Sequence, residues 1–123
     1  MRIDLHTHSS VSDGTDAPAA LVAKAAAAGL DAVALTDHDT FDGLAEAHAA
    51  GPAAGVEVLG GLEMSPERGG NAVHLLGYGC RTDDRVLLDE LALIRRGRSG
   101  RIPGMLAALA ALGMPLDPDV LAR

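Results

Sequence analysis

The chain has 123 residues and a mass of 12.5 kDa, the size of one small domain. Lys and Arg number 10 against 17 Asp and Glu, a formal charge of −7 that speaks against a broad basic surface for gripping long nucleic acid. Aromatic residues are 2%, too few for base-stacking platforms, while 48% hydrophobic and 22% charged residues exclude a disordered polar chain.

Cys80 is the single cysteine, so no internal disulfide and no thiolate zinc cluster is expected, in keeping with a reducing compartment. The start, Met1-Arg2-Ile3-Asp4, meets charge at once and offers no apolar signal-peptide core. No uncharged apolar stretch approaches the ~18 residues of a spanning helix. The expectation is a cytoplasmic protein with no membrane partner.

In chain order, Arg2 to Leu5 reads as a short strand and His6 to Asp16 as a polar, Gly-containing loop. Pro18 opens a helix to about Ala28, stopped by Gly29, with Leu21, Val22 and Ala25 on one face. Leu30 to Thr36 is apolar enough for a strand buried on both sides. Thr40 is the expected N-cap of a second helix ending at Gly51-Pro52. Val56 to Gly60 and Ala72 to Gly77 read as third and fourth strands. From Asp83 the chain turns helical, with Val86, Leu87, Leu91 and Ile94 on one stripe; Gly97, Gly100 and Pro103-Gly104 are expected to interrupt it before Met105 to Leu112. Alternating strands and helices imply an α/β fold with a parallel sheet and right-handed crossovers. The chain stops without a closing strand, so the expectation is a fragment of a longer barrel.

Histidine carries the chemical signal. In His6-Thr7-His8 an extended backbone points both rings to one face, where they can share a metal ion, and Asp4 has the same parity. Alone, such a pair is as readily two surface side chains; its position after a strand favours ligands. Ser12-Asp13-Gly14 is by composition a turn, yet it brings a carboxylate close behind that pair. Asp37-His38-Asp39 follows a buried strand, where ionisable groups are costly unless paired or metal-bound. Acids at a helix N-terminus would explain Asp39 and Asp42 but not His38. Glu63 is expected just beyond the third strand and His74 inside the fourth. Each alone is better read as a solvated acid and a core imidazole, and His48 as a surface side chain. Together, four successive strands deliver a His or a carboxylate near the sheet edge where α/β folds bind ligands. A His/Asp/Glu set without Cys suits Zn, Mn or Fe, and its size suggests more than one ion, the arrangement of phosphate-ester hydrolysis.

Asp4-Leu5-His6-Thr7-His8-Ser9, Ser12-Asp13-Gly14, Leu35-Thr36-Asp37-His38-Asp39-Thr40, Gly61-Leu62-Glu63 and His74-Leu75-Leu76-Gly77-Tyr78 resemble the motifs of the PHP (polymerase and histidinol phosphatase) family, most closely its stand-alone nucleotide phosphatase and exoribonuclease branch. The resemblance implies the N-terminal part of a distorted (β/α)7 TIM-like barrel over residues 1–82. It also implies the start of an inserted helical cap over 83–123. It implies two or three divalent ions held by His6, His8, Asp13, His38, Glu63 and His74, with Glu63 as the bridge, and Asp4 and Asp37 behind them. Asp13 and His38 would be the catalytic residues, and Arg98 and Arg101 would contact substrate phosphate. The family takes a further His and an Asp-x-His pair from later strands, and no His follows His74 here. The implied reaction is attack of a metal-bound hydroxide on the phosphorus of a small phosphomonoester, a nucleotide or a short RNA end. The alternatives are a non-catalytic or proofreading PHP module of a polymerase-like protein, and a histidinol-phosphatase-like enzyme.

Overall fold

The computed structural model describes residues 1–65, 67–68 and 71–117. It forms two compact units, Met1–Leu88 and Asp89–Arg123. The length had suggested a single domain.

In the first unit, strands β1 (Ile3–Thr7), β2 (Ala32–Leu35), β3 (Glu57–Met64) and β6 (Leu75–Tyr78) form one sheet in the order β1-β2-β3-β6. Strands β4 (Glu67–Arg68) and β5 (Asn71–Ala72) form a separate hairpin. Helices α1 (Pro18–Ala27) and α2 (Leu44–Ala54) connect β1 to β2 and β2 to β3. β1, β2 and β3 are parallel, as expected of strands joined through helices. β6 is antiparallel to β3, which corrects the wholly parallel expectation. Its cause is the connection: only a short hairpin separates β3 from β6, and a parallel return needs a crossover of a dozen or more residues.

The core forms where both helices meet β2. Val22 and Ala25 of α1, Leu44 and Ala47 of α2, Val33 and Leu35 of β2, and Val56 are buried together. Ala32 and Ala34 are buried on the other side of β2, so this strand is enclosed on both faces, as its unbroken apolar run implies. Burying a Leu or Val side chain contributes about 1.5–3 kcal/mol. β2 is therefore the fixed rail on which the neighbouring strands are placed.

Element ends differ from expectation where tertiary pairing extends or displaces them. β3 runs on to Met64, because its first half pairs with β2 and its second half, Gly61 to Met64, with β6. Glu63 is therefore inside a strand, not beyond it. His74 precedes β6 instead of lying within a strand. α2 begins at Leu44 and continues through Gly51-Pro52 to Ala54. Thr40 caps the turn before it, its Oγ1 accepting the Asp42 N–H at 3.1 Å. Pro52 costs one intrahelical donor, tolerated because the helix ends at Gly55, left-handed at φ 69°, whose N–H bonds the carbonyls of Gly51 and Pro52. Asp39 and Asp42 thus precede α2 and do not decorate its first turn.

The boundary between the units falls within α3 (Arg85–Ser99), which passes through Gly97, and α4 (Arg101–Ala111) starts after Gly100. Pro103 falls in the first turn of α4, where its missing N–H removes no bond. Of the expected apolar stripe, Leu91 is buried while Val86 and Ile94 are exposed. Among the described residues no helix is long and apolar enough to cross a membrane.

Candidate metal centre

The centre forms along one edge of the sheet, where the C-terminal ends of β1, β2 and β3 meet the N-terminal end of β6. Because β6 runs the other way, the residue before it, His74, arrives at the same edge as residues at or after the ends of the parallel strands. Antiparallel pairing thus replaces a fourth parallel strand without moving the ligand.

β1 carries His6 and leads into His8. Its register with β2 slips between Asp4 and Thr7, so an extra residue bulges there. Thr7 holds the slip: its Oγ1 donates to the Ala34 carbonyl at 2.6 Å, and the Thr36 N–H and Oγ1 donate to the Thr7 carbonyl at 2.9 and 3.0 Å. Both imidazoles still reach one atom. His6 Nε2 is 2.8 Å and His8 Nε2 2.9 Å from Glu63 Oε2, as their shared parity predicts.

His38 is set by a continuation of the β2–β3 ladder that the sequence did not announce. The Glu63 N–H donates to the Asp37 carbonyl at 3.2 Å, and the Asp39 N–H to the Glu63 carbonyl at 3.0 Å, pairing His38 with Glu63 as an isolated parallel bridge. Asp39 then turns the chain at φ 55°, a left-handed conformation that Asp tolerates better than most residues. His38 Nε2 lies 3.6 Å from Glu63 Oε2 and 3.5 Å from Asp13 Oδ2. Asp13 Oδ1 is 3.1 Å from His8 Nδ1. His74 Nδ1 bonds Glu63 Oε1. The rings of His6, His8, His38 and His74 follow one another at centroid distances of 5.0, 4.7 and 6.3 Å.

Glu63 is the hub: 2% exposed, it faces four imidazoles. Burial pushes its pKa up, but hydrogen bonds from His6 and His74 and the charges of His38 and His6 outweigh burial and hold the carboxyl below its ordinary range. Asp13 is open to solvent, with 66% of its side chain exposed.

Two groups of donors have their ligand atoms within 4.8 Å of one another: His6, His8 and Glu63, and His8, Asp13 and His38. Imidazole and carboxylate donors without thiolate suit a divalent Zn, Mn or Fe ion, so these residues fit a metal centre. His38 Nδ1 is buried without a hydrogen-bond partner among the described residues. Such an atom is costly in a site with no purpose for the ring.

All six residues expected as ligands come together. Asp4 sits behind His6: its Oδ1 accepts the His6 backbone N–H at 3.1 Å. Asp37 is buried and bonds Ser9 and Ser12. Both serines belong to the quoted sequence motifs without a role assigned to them there, and Ser9 is wholly buried. A serine-rich loop behind a His-x-His pair was the available signal. Arg98 and Arg101 lie in α3 and α4, in the second unit. His48 is exposed on α2.

A mixed α/β sheet that gathers imidazoles and carboxylates at one edge defines a candidate metal-binding domain. The PHP domain model matches residues 4–92, and the chain belongs to the PHP-domain family. It is 43% identical over 112 residues to a 3′,5′-nucleoside bisphosphate phosphatase of Chromobacterium violaceum, a match spanning 91% of this chain and 39% of that protein. It is 47% identical over 66 residues to a PolC-type DNA polymerase III of Oceanobacillus iheyensis, covering 52% of this chain and 5% of that polymerase. A crystal structure from Bifidobacterium adolescentis, described as a metal-dependent phosphoesterase, superposes with a TM-score of 0.87 at 33% identity, over 99% of this chain and 43% of that one. The chain therefore spans about two-fifths of the length of the phosphatase and of the phosphoesterase. Its curled sheet agrees with part of a PHP barrel. The curl is visible in Tyr78, whose hydroxyl reaches from β6 at one edge to the Leu5 carbonyl of β1 at the other, at 2.7 Å.

Proposed function

We propose that this chain carries the N-terminal metal-binding part of a phosphoesterase that hydrolyses a small phosphomonoester or nucleotide. The observation that carries this reading is the convergence of His6, His8, His38 and His74 on the buried Glu63 carboxylate, with Asp13 at the open side. His6, His8 and Glu63 would hold one divalent ion, and His8, Asp13 and His38 a second, with His74 beside them. Divalent ions in such a site supply Lewis-acid activation of water and neutralise phosphoryl charge.

The protein's own residues supply the rest. The Glu63 backbone is paired on both sides, and its buried carboxylate is held toward the imidazoles by its contacts with His6, His8 and His74. His6, His8 and His74 orient through that one carboxylate, so the ligand set is preorganised. Asp13, solvent-exposed yet within reach of His8 and His38, is the group that can accept a hydrogen bond from an entering water and steer it. Arg98 and Arg101 are the proposed contacts to substrate phosphate, and residues 83–123 the start of the helical segment that carries them. A single cysteine fits a cytoplasmic enzyme.

The test uses the full chain. Metal content by mass spectrometry should show stoichiometric divalent ion. Assays on nucleoside bisphosphates and on short 5′-phosphorylated RNA should show phosphate release. Asp13→Ala should lower that activity by roughly 100-fold or more, the scale of removing a group made for the transition state. Undiminished activity in Asp13→Ala would sink the assignment. The polymerase match favours a second reading, a PHP module inside a larger protein. Metal binding with no turnover of any small phosphoester would support that reading instead.

A further inference from the structure

We propose that Asp37 is a positioning residue that fastens the Ser9–Gly14 loop and so holds Asp13 at the metal centre. This inference rests on the metal-centre reading above. Asp37 is 2% exposed and follows β2, the most enclosed strand. Its carboxylate bonds into the loop after β1. Oδ1 accepts the Ser9 N–H at 2.7 Å and the Ser12 hydroxyl at 2.6 Å, and Oδ2 accepts the Ser9 hydroxyl at 2.7 Å. Bonds of this length to a buried carboxylate are of the strong, charge-assisted kind.

The clamp reaches the centre through Ser12. Its hydroxyl has one proton, and the 2.6 Å contact to Asp37 claims it. Its oxygen then stands 3.5 Å from His8 Nδ1 and 3.3 Å from Asp13 Oδ1. The Asp13 contact is left without a proton, so the clamp places Asp13 through its backbone link to Ser12 and not through the hydroxyl. The loop is closed on itself by the Ser12 and Gly14 N–H groups, which both donate to the Ser9 carbonyl at 3.1 and 2.9 Å. Ser9 is the knot: its backbone anchors the turn and its N–H and hydroxyl bind Asp37. Asp13 is otherwise an exposed side chain on a polar loop, which would sample many positions. Loss of the clamp should leave the other ligands in place and release only Asp13.

The experiment measures divalent-metal affinity of the full chain, with Mn²⁺ and Zn²⁺ as the probes, by competition against a chromophoric chelator. Wild type, Asp37→Asn, Ser12→Ala, Asp13→Ala and the double variants Asp37→Asn/Asp13→Ala and Ser12→Ala/Asp13→Ala are compared. Asp37→Asn and Ser12→Ala should each weaken binding by about 10–100-fold, the usual effect of removing a partner behind a ligand. In the Asp13→Ala background each should have almost no further effect, because the clamp acts through Asp13. A purely structural role predicts losses that add in both backgrounds, and that result overturns the proposal, as does wild-type affinity in Ser12→Ala. Amide exchange adds a readout independent of metal: the Ser12 and Gly14 amides should exchange faster in both clamp variants, while those of β2 stay protected. If Asp37→Asn fails to fold, the Ser12→Ala arm decides. If wild type itself binds neither ion, the metal-centre reading fails first, an outcome distinct from a wild type that binds and a clamp that does not matter.

Discussion

Replacing Glu63 with glutamine probes the centre at its most buried point. The amide keeps the volume and one acceptor but removes the charge and puts a donor where an oxygen faced the imidazoles. Hydrogen bonds to a charged group contribute about 1.5–3 kcal/mol against about 0.5–1.5 for neutral ones. His6 and His74 are 47% and 59% exposed, so solvent screening favours the low end. The metal-free protein should lose about 1–2 kcal/mol, with a fall in melting temperature of roughly 4–8 °C per kcal/mol for a unit of this size. Metal makes the larger difference. At a concentration of 100 Kd a divalent ion stabilises the wild type by about 2.7 kcal/mol. Glu63 lies in one donor group and contacts His8 and His38 of the other, so both should weaken in the variant. With a 100-fold weaker site the same concentration contributes only about 0.4 kcal/mol. Thermal unfolding of the full chain with and without Mn²⁺ reads both effects. A metal-induced rise of equal size in wild type and Glu63→Gln would refute the view that this carboxylate is a ligand.

Two further outcomes follow from the same geometry. The folded-state pKa of Glu63 is held below 4.5, so its contribution to stability is fully present above about pH 4.5 and is lost as pH falls through the lower folded value. The unfolded chain takes the proton first, so metal-free wild type should lose stability more steeply below pH 4.5 than Glu63→Gln; parallel acid-unfolding curves would contradict this. At Gly14 an added Cβ would sit 2.3 Å from the His8 carbonyl oxygen and 2.8 Å from the Ser9 carbonyl carbon, and neither backbone atom can yield. Gly14→Ala should cost about 1–3 kcal/mol in denaturant unfolding and weaken metal binding with it, and a neutral effect would show that the loop adapts freely.

Much of the centre was legible because its chemistry is local. His6 and His8 share parity in an extended chain, and the contact of both rings with one Glu63 oxygen follows from that period. The enclosure of β2 was legible in its unbroken apolar run, and α1 in Pro18 and its spaced apolar residues. The end of β3 was not, because Gly61 to Met64 is a strand only through its partner β6. The same holds for α2, whose last turn survives Pro52 against local propensity. The stripe on α3 reads as amphipathic, yet periodicity fixes which residues share a face and not whether anything covers it.

Residue types and local period therefore determined which side chains can bind a cation and that most stand at strand ends. Tertiary structure decided the geometry: the reversed β6 that brings His74 to the shared edge, the backbone bridge that seats His38 beside Glu63, and the Ser9–Asp37–Ser12 contacts. The physical reason is range. Side-chain parity is set by neighbours two residues apart, whereas these contacts join positions 11 to 28 residues apart and exist only once the sheet has paired.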